Sequence, residues 1–299
     1  MTTVIGGPAS AELAKKIANK LDAKYLEAKL RIFPDGESKL TINGTPSKDK
    51  IIVVQSTPPP VDTNMLHAFS LISKAKKWSN QVIAVIPYLG YMRQDMEFLR
   101  GEVVTSRLVA NLLGSVGASK IITVDIHSKL ALNYFDVPLL NLSATKKLAT
   151  YMKRINLQNS LVVAPDLFWF NPARNLASLL GTQSIALNKQ RDRKTGKLRI
   201  IPSKIHDLAG RDVILFDDMI STGGSVMAAA LYLKNQNCGH IYAVCTHALL
   251  VGNAEKRIKK AGVKKIISTN TIPSKTSVVD VSGVISRATN LSFQDKASF

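Results

Sequence analysis

Cysteine is almost absent: Cys238 and Cys245 are the only two in 299 residues. Their spacing matches neither a disulfide framework nor a metal-ligand pattern, so a reducing, cytoplasmic setting is expected. No apolar run approaches the ~18 residues of a membrane span, which predicts no membrane association. The opening MTTVIGGPASAELAKKIANKL lacks the basic segment and apolar stretch of a secretory signal. Two phosphate-binding signatures are missing as well, because neither GxxxxGK[ST] nor GxGxxG occurs anywhere. Aromatics make up 6%, and no aromatic-rich RNP stretch or GXXG clamp inside a helical hairpin stands out for RNA. Acidic residues are few against the basic ones, 21 to 40, for a formal net charge of +19. Such a field favours anionic partners, either polyanions or phosphorylated small molecules.

What is present is ordinary for a globular chain: 45% apolar and 20% charged residues, at a length that suggests two domains. Short apolar runs at 51–55, 82–86, 121–125, 161–164, 184–187, 213–216, 240–245 and 266–269 read as strands. Helical patterns at 9–21, 65–79, 106–115, 145–155, 172–180 and 226–235 lie between most of them. In the basic run 253–265, Ile258 and Ala261 face inward, three apart on a helix, with lysines outside. Several strands are apolar throughout, as in a parallel sheet covered on both faces, and the class is α/β. The halves also echo each other: IIVVQSTPPPVDTNMLHAF (51–69) aligns with VILFDDMISTGGSVMAAAL (213–231), Met65 on Met227. This predicts two similar domains, 1–143 and 144–299, with the last ~15 residues packing on the first.

The second copy carries the chemistry. A buried strand runs into Asp217 and Asp218, then into Ser221, Thr222, Gly223, Gly224 and Ser225, then into an apolar helix. Such a loop gathers unpaired N–H groups at the positive end of a helix dipole, and glycines let a ligand approach the backbone. The loop reads as a phosphate cup. The two carboxylates would repel a phosphate beside them, but a sugar's length away they suit vicinal hydroxyls or a hydrated Mg²⁺. A ligand with a phosphate at one end and a diol at the other, ribose 5-phosphate, satisfies both. In the first copy Gln55-Ser56 and Pro58-Pro59-Pro60 stand at these places, and proline has no N–H to offer an anion.

Residues 213–230 resemble the phosphoribosyl-pyrophosphate binding motif of phosphoribosyltransferases and ribose-phosphate pyrophosphokinases. FPDGE (33–37), RQDMEFLRGE (93–102), VDIHS (124–128), APD (164–166) and NKQRDRKTGK (188–197) follow in the order of the second family, across essentially the whole chain. The resemblance implies two phosphoribosyltransferase-like domains, each a mostly parallel sheet flanked by helices. It also implies transfer of the β,γ-diphosphoryl group of ATP to the anomeric hydroxyl of ribose 5-phosphate, with Mg²⁺. By resemblance, Phe33, Asp35, Gly36, Glu37, Arg93 and Gln94 bind ATP. His127 and Asp166 match the Mg²⁺ positions, although imidazole is an uncommon Mg²⁺ ligand and His127 also suits phosphate or a metal-bound water. Lys189 and Arg191 match the catalytic basic loop, with His127 beside them in catalysis; Arg191, Asp217, Asp218 and residues 221–225 take ribose 5-phosphate.

The FPDGE loop implies an active site near a subunit interface and so at least a homodimer. Two departures stand out: Ser221 replaces an acid common in relatives, and Leu167-Phe168-Trp169-Phe170 replaces small residues after Asp166. The three aromatics either pack an interface or stiffen the loop. The competing readings are a non-catalytic regulatory relative, a phosphoribosyltransferase, and a nucleic-acid binder drawn by charge; no nucleic-acid partner is expected.

Overall fold

Strand-forming runs and helical stretches alternate along the chain and assemble into two parallel-rich sheets. The structure, a computed structural model, describes residues 1–191, 198–200 and 208–291, with the backbone only at 189–191 and 198–200. The chain divides into two compact units. The first comprises Met1–Ser143, Thr271–Pro273 and the described chain from Val281 onward; the second comprises Ala144–Asn270 and Ser274–Asp280.

The first unit contains β1 (Thr2–Gly6), β2 (Lys24–Ile32), β3 (Ser38–Ile42), β4 (Lys50–Val54), β5 (Val82–Val85), β6 (Lys120–Val124) and β7 (Leu139–Leu142). They form one seven-stranded sheet in the order β3-β2-β1-β4-β5-β6-β7. Every pairing is parallel except β2 with β3, an antiparallel hairpin at the edge. The central strands are apolar on both faces because helices cover both. These are α1 (Ala11–Leu21), α2 (Val61–Lys76) and α3 (Thr105–Ser115). Ile5, Ile51, Val53 and Val82 join Leu71, Ile72 and Leu113 from the helices in one core.

The second unit contains β8 (Leu161–Ala164), β9 (Gln183–Ala186), β12 (Val213–Ile220), β13 (Ile241–Ala248), β14 (Val263–Thr269) and β15 (Ser277–Val279), with the short pair β10 (Lys189–Arg191) and β11 (Leu198–Ile200). The six-stranded sheet runs β15-β14-β13-β12-β8-β9 and is parallel throughout. Its helices are α4 (Thr145–Met152), α5 (Phe170–Leu180), α6 (Gly224–Lys234) and α7 (Ala254–Lys260). Val213, Leu215, Ala243 and Cys245 meet Val226, Ala230, Leu233 and Ile258 in its core. Ile258 and Ala261 are both buried, although the helix ends at Lys260 and the chain turns into β14 instead of continuing to 265.

One further helix, α8 (Ser282–Ala288), belongs to the first unit and packs on α1. It is held at its C-terminal end by Lys120, whose buried ammonium donates to the carbonyls of Ala288 (3.2 Å) and Leu291 (2.9 Å). Ala288 ends the helix, at the negative end of its dipole, which is where a cation is favourable. Burial, and then the charge of Lys50, push the Lys120 ammonium below its ordinary range.

Candidate active site

In each sheet the strand order reverses at one point. Ligands of open α/β sheets bind outside the carboxyl ends of the strands at such points. In the second unit the reversal lies between β8 and β12, since β9 extends one way from β8 and β12 the other. Pairing of Leu215 with Val163 sets Asp166 just past the end of β8, level with the acidic pair of β12.

That pair differs from the sequence expectation. The strand does not stop at Phe216 but continues to Ile220, because its ladder with β13 runs on through Asp217↔Cys245, Met219↔His247 and Ile220↔Ala248. Consecutive residues of a strand point to opposite faces. Asp217 therefore shares the face of Leu215 and Cys245, and Asp218, 2% exposed, shares that of Phe216. Their side chains nonetheless come close enough to hydrogen-bond one another. Burial, then the charges of Asp218 and Asp166, hold the Asp217 carboxyl well above the ordinary aspartate range. Burial, and then the charges of Asp217 and Asp218, raise the Cys245 thiol. Three carboxylates thus crowd one switch point, a potential that a cation or hydroxyl donors would relieve.

The aromatic run after Asp166 stiffens this corner. Trp169 is buried edge-on against Phe216, with centroids 6.0 Å apart at 63°. Its backbone N–H donates to Asp166 Oδ1 at 3.2 Å, fixing the carboxylate just before α5 begins at Phe170. Leu167 and Phe168 are exposed.

The loop from Ser221 to Ser225 delivers the chain into α6. Gly223 has φ +78°, and a Cβ there would lie 2.7 Å from Ile258 Cδ1, so both conformation and space demand glycine. Gly224 is instead the first residue of the helix, and only Gly223 uses the left-handed region. The loop's carbonyls are occupied: Ser221 accepts from the Val251 N–H (3.1 Å), Gly223 from Met227 (2.9 Å) and Thr222 from Arg257 Nη2 (2.9 Å). The N–H groups of Thr222, Gly223 and Gly224 have no partner among the described residues. Donors without acceptors at a helix start, with a guanidinium alongside, make an anion site. Arg257 is a residue that sequence reasoning missed, because it sits in a basic run that reads as a solvated helix face.

Lys189 and Arg191 lie in β10, which pairs antiparallel with β11, and β11 runs beside α6. Their side chains, and residues 192–197, lie outside the described part of the chain.

In the first unit, residues 33–37 close the β2–β3 hairpin. The Phe33 N–H donates to the Glu37 carbonyl (2.8 Å), the Gly36 N–H to Phe33 (2.9 Å) and the Glu37 N–H to Asp35 Oδ1 (3.0 Å). Gly36, at φ +92°, is open on all sides, so glycine there serves the turn. Asp35 and Glu37 are exposed, and Arg31 stacks over the Phe33 ring at 4.9 Å. Arg93 is exposed; the Gln94 side-chain carbonyl accepts from Thr105 Oγ1 (2.6 Å), which holds that loop against α3. Ser128 donates its hydroxyl to Asp95, and Tyr134 donates to the Asp95 carbonyl (2.6 Å), so the loop bearing Arg93 is tied to the segment bearing half-buried His127. Strand β6 ends at Val124 and Asp125 has φ +41°, so His127 lies past the strand and its alternation.

The first unit's own switch point, between β1 and β4, is filled. Gln55 is 1% exposed; its Oε1 accepts from the Ala9 N–H (3.2 Å) and its amide donates to the carbonyl of Ser56 (2.9 Å) and to Asn64 Oδ1 (3.2 Å). A Cβ on Gly7 would lie 2.1 Å from that Oε1.

Among the described residues, no three His, Cys, Asp or Glu side chains converge as a ready metal site. Oxygen donors such as Asp166 and Asp217 suit Mg²⁺, which takes one or two carboxylates and completes its shell with water and substrate phosphates. The donor set is therefore compatible with that ion. No helix of the described residues is long and apolar enough to cross a membrane.

The family model for the N-terminal domain of ribose phosphate pyrophosphokinase matches residues 2–117, and that for the phosphoribosyl synthetase-associated domain matches residues 182–293. A ribose-phosphate pyrophosphokinase of Methanopyrus kandleri is 38% identical over 288 residues, covering 95% of this chain and 97% of that one. That of Pasteurella multocida is 34% identical over 293 residues, covering 94% and 93%. The crystal structure of phosphoribosylpyrophosphate synthetase from Mycobacterium smegmatis is similar throughout, with a TM-score of 0.84 at 28% identity over 96% of this chain and 97% of that one. The chain belongs to the ribose-phosphate pyrophosphokinase family.

Proposed function

We propose that the chain transfers the β,γ-diphosphoryl group of ATP to the anomeric hydroxyl of ribose 5-phosphate, yielding phosphoribosyl pyrophosphate and AMP. The anomeric oxygen bonds to the β-phosphorus, the bond from that phosphorus to the α–β bridging oxygen breaks, and the hydroxyl proton leaves. Reacting groups that are all anionic make the barrier largely electrostatic. The observation that carries the reading is the start of α6: three N–H groups without partners among the described residues, next to a crowded acidic switch point.

The 5-phosphate takes the N–H groups of residues 222–224 and the hydroxyls of Ser221, Thr222 and Ser225, with Arg257 supplying nearby positive charge. Asp217 and Asp218 accept from ribose hydroxyls at the end of β12. Phe33, Asp35, Gly36, Glu37, Arg93 and Gln94 hold ATP on the first unit. Asp166, fixed by the Trp169 N–H, would hold Mg²⁺ in the second unit, and in the first His127 would serve a metal-bound water or a phosphate; the ion would supply neutralisation of phosphate charge. Lys189 and Arg191 stabilise the phosphoryl oxygens as the bridging bond breaks. The enzyme works in the cytoplasm as a homodimer or higher homo-oligomer.

Phosphorus NMR with ATP, ribose 5-phosphate and Mg²⁺ tests this. AMP and a new diphosphate on the sugar are expected, and Lys189→Ala should lower the rate by at least about a hundredfold. Formation of ADP would replace the mechanism with simple phosphoryl transfer. Saturable ribose 5-phosphate binding without turnover would favour a regulatory relative.

A further inference from the structure

Helix α2 and the edge strand β3 enclose a cavity of about 380 Å³ that no part of the reaction uses. Leu40 and Ile42 enter it from one face of β3, and Leu66 and Leu71 from α2. His67 forms part of its wall and is 3% exposed, yet neither ring nitrogen has a hydrogen-bond partner among the described residues. A buried imidazole normally satisfies one donor and one acceptor, and leaving both unmade is unfavourable. Burial also pushes its pKa down, so the neutral ring, one N–H and one bare nitrogen, is the form on offer. Seven residues on, two helical turns along the same face, Lys74 lines the cavity and rests over the Trp78 ring at 4.7 Å. Lys74 is the charged residue of the lining.

We propose that this cavity binds a small amphipathic carboxylate: an apolar body between Leu40, Ile42 and Leu66, a hydroxyl engaging His67, and the carboxylate on Lys74. The polar ends of such a ligand lie on the order of 10 Å apart, the rise of two helical turns. The volume falls at the small end of the range for ligand pockets. In the empty cavity both His67 nitrogens are covered. The broad torsion between Cβ and the ring lets one of them turn toward a ligand. The cavity also reaches Ser38, the residue directly after the 33–37 turn. Occupancy therefore bears on the hairpin that presents the ATP loop. This coupling rests on the proposed reaction; the binding does not.

The probe is 4-hydroxyphenylacetate, titrated into the full chain without ATP while the imidazole nitrogens of His67 are followed by ¹⁵N NMR. Saturable binding with a shift of the His67 nitrogens is expected. His67→Phe should weaken it about tenfold, Lys74→Gln should weaken it less, and Ser70→Trp, which fills the cavity and spares the imidazole, should abolish it. Melting curves of the variants confirm folding. Equal affinity in His67→Phe, or no saturable binding to the folded wild type, would overturn the proposal. A His67 shift that follows protein concentration and ignores the probe would assign the cavity to a second copy of the chain and also overturn it. If binding holds but the apparent affinity for ATP is unchanged, the site stands and only the coupling fails.

Discussion

The two switch points place nearly the same strand-loop-helix unit beside the first strand of each sheet, and they end differently. In the second unit β12 leads through a glycine at φ +78° into a helix, and the N–H groups of residues 222–224 have no partner among the described residues. In the first, β4 leads through three prolines into α2, and Gln55 fills the crevice with three hydrogen bonds of its own. The same geometry thus serves a ligand where the backbone is left open, and serves stability where a side chain closes it. What distinguishes them is a few residues at the carboxyl end of one strand, since the cores beneath are equally apolar.

Several changes would break or sharpen this contrast. Gly223→Val forces a β-branched residue into positive φ and against Ile258. It should lower stability by about 3 kcal/mol or more and eliminate ribose 5-phosphate binding, as read by thermal melts and calorimetry. Gln55→Ala should lower stability by about 1–3 kcal/mol, because the Ala9 N–H and Asn64 lose buried partners. It should create no second sugar-phosphate site, because the prolines remain. Asp217→Asn addresses the crowded carboxylates through pH. The folded pKa lies above the unfolded value of about 3.9, so the native state holds the extra proton and stability of the unliganded protein falls as pH rises above that value. In Asp217→Asn that decline should flatten, whereas divalent affinity of the wild type should rise with pH as Asp217 ionises. Arg257→Gln, which removes only the flanking cation, should weaken ribose 5-phosphate about three- to tenfold, with little loss of stability.

Much of this was legible in the chain. The apolar runs of β4, β5, β6, β8 and β12 predicted a parallel sheet, and the Ser-Thr-Gly-Gly-Ser stretch predicted an anion loop, because both follow from local chemistry. Strand β2 was not legible. Its residues KYLEAKLRI are mostly good helix formers, and only pairing with β1 and β3 makes them a strand. The end of β12 was misplaced for a related reason: two aspartates look like a strand terminus, yet the β13 ladder carries them inside the sheet on opposite faces. Likewise Asp166 comes level with Asp217 through pairing across some fifty residues, which no local pattern encodes. Gln55 gave no signal that it would fill a crevice, and Arg257 was hidden among lysines.

The most direct test is the number of ribose 5-phosphate sites per chain, measured by calorimetry on the wild type, on Gly223→Val and on Gln55→Ala. One site that survives Gln55→Ala and disappears in folded Gly223→Val is the predicted result. Binding retained in folded Gly223→Val, or two sites in the wild type, would contradict the assignment of the sugar phosphate to the α6 loop alone.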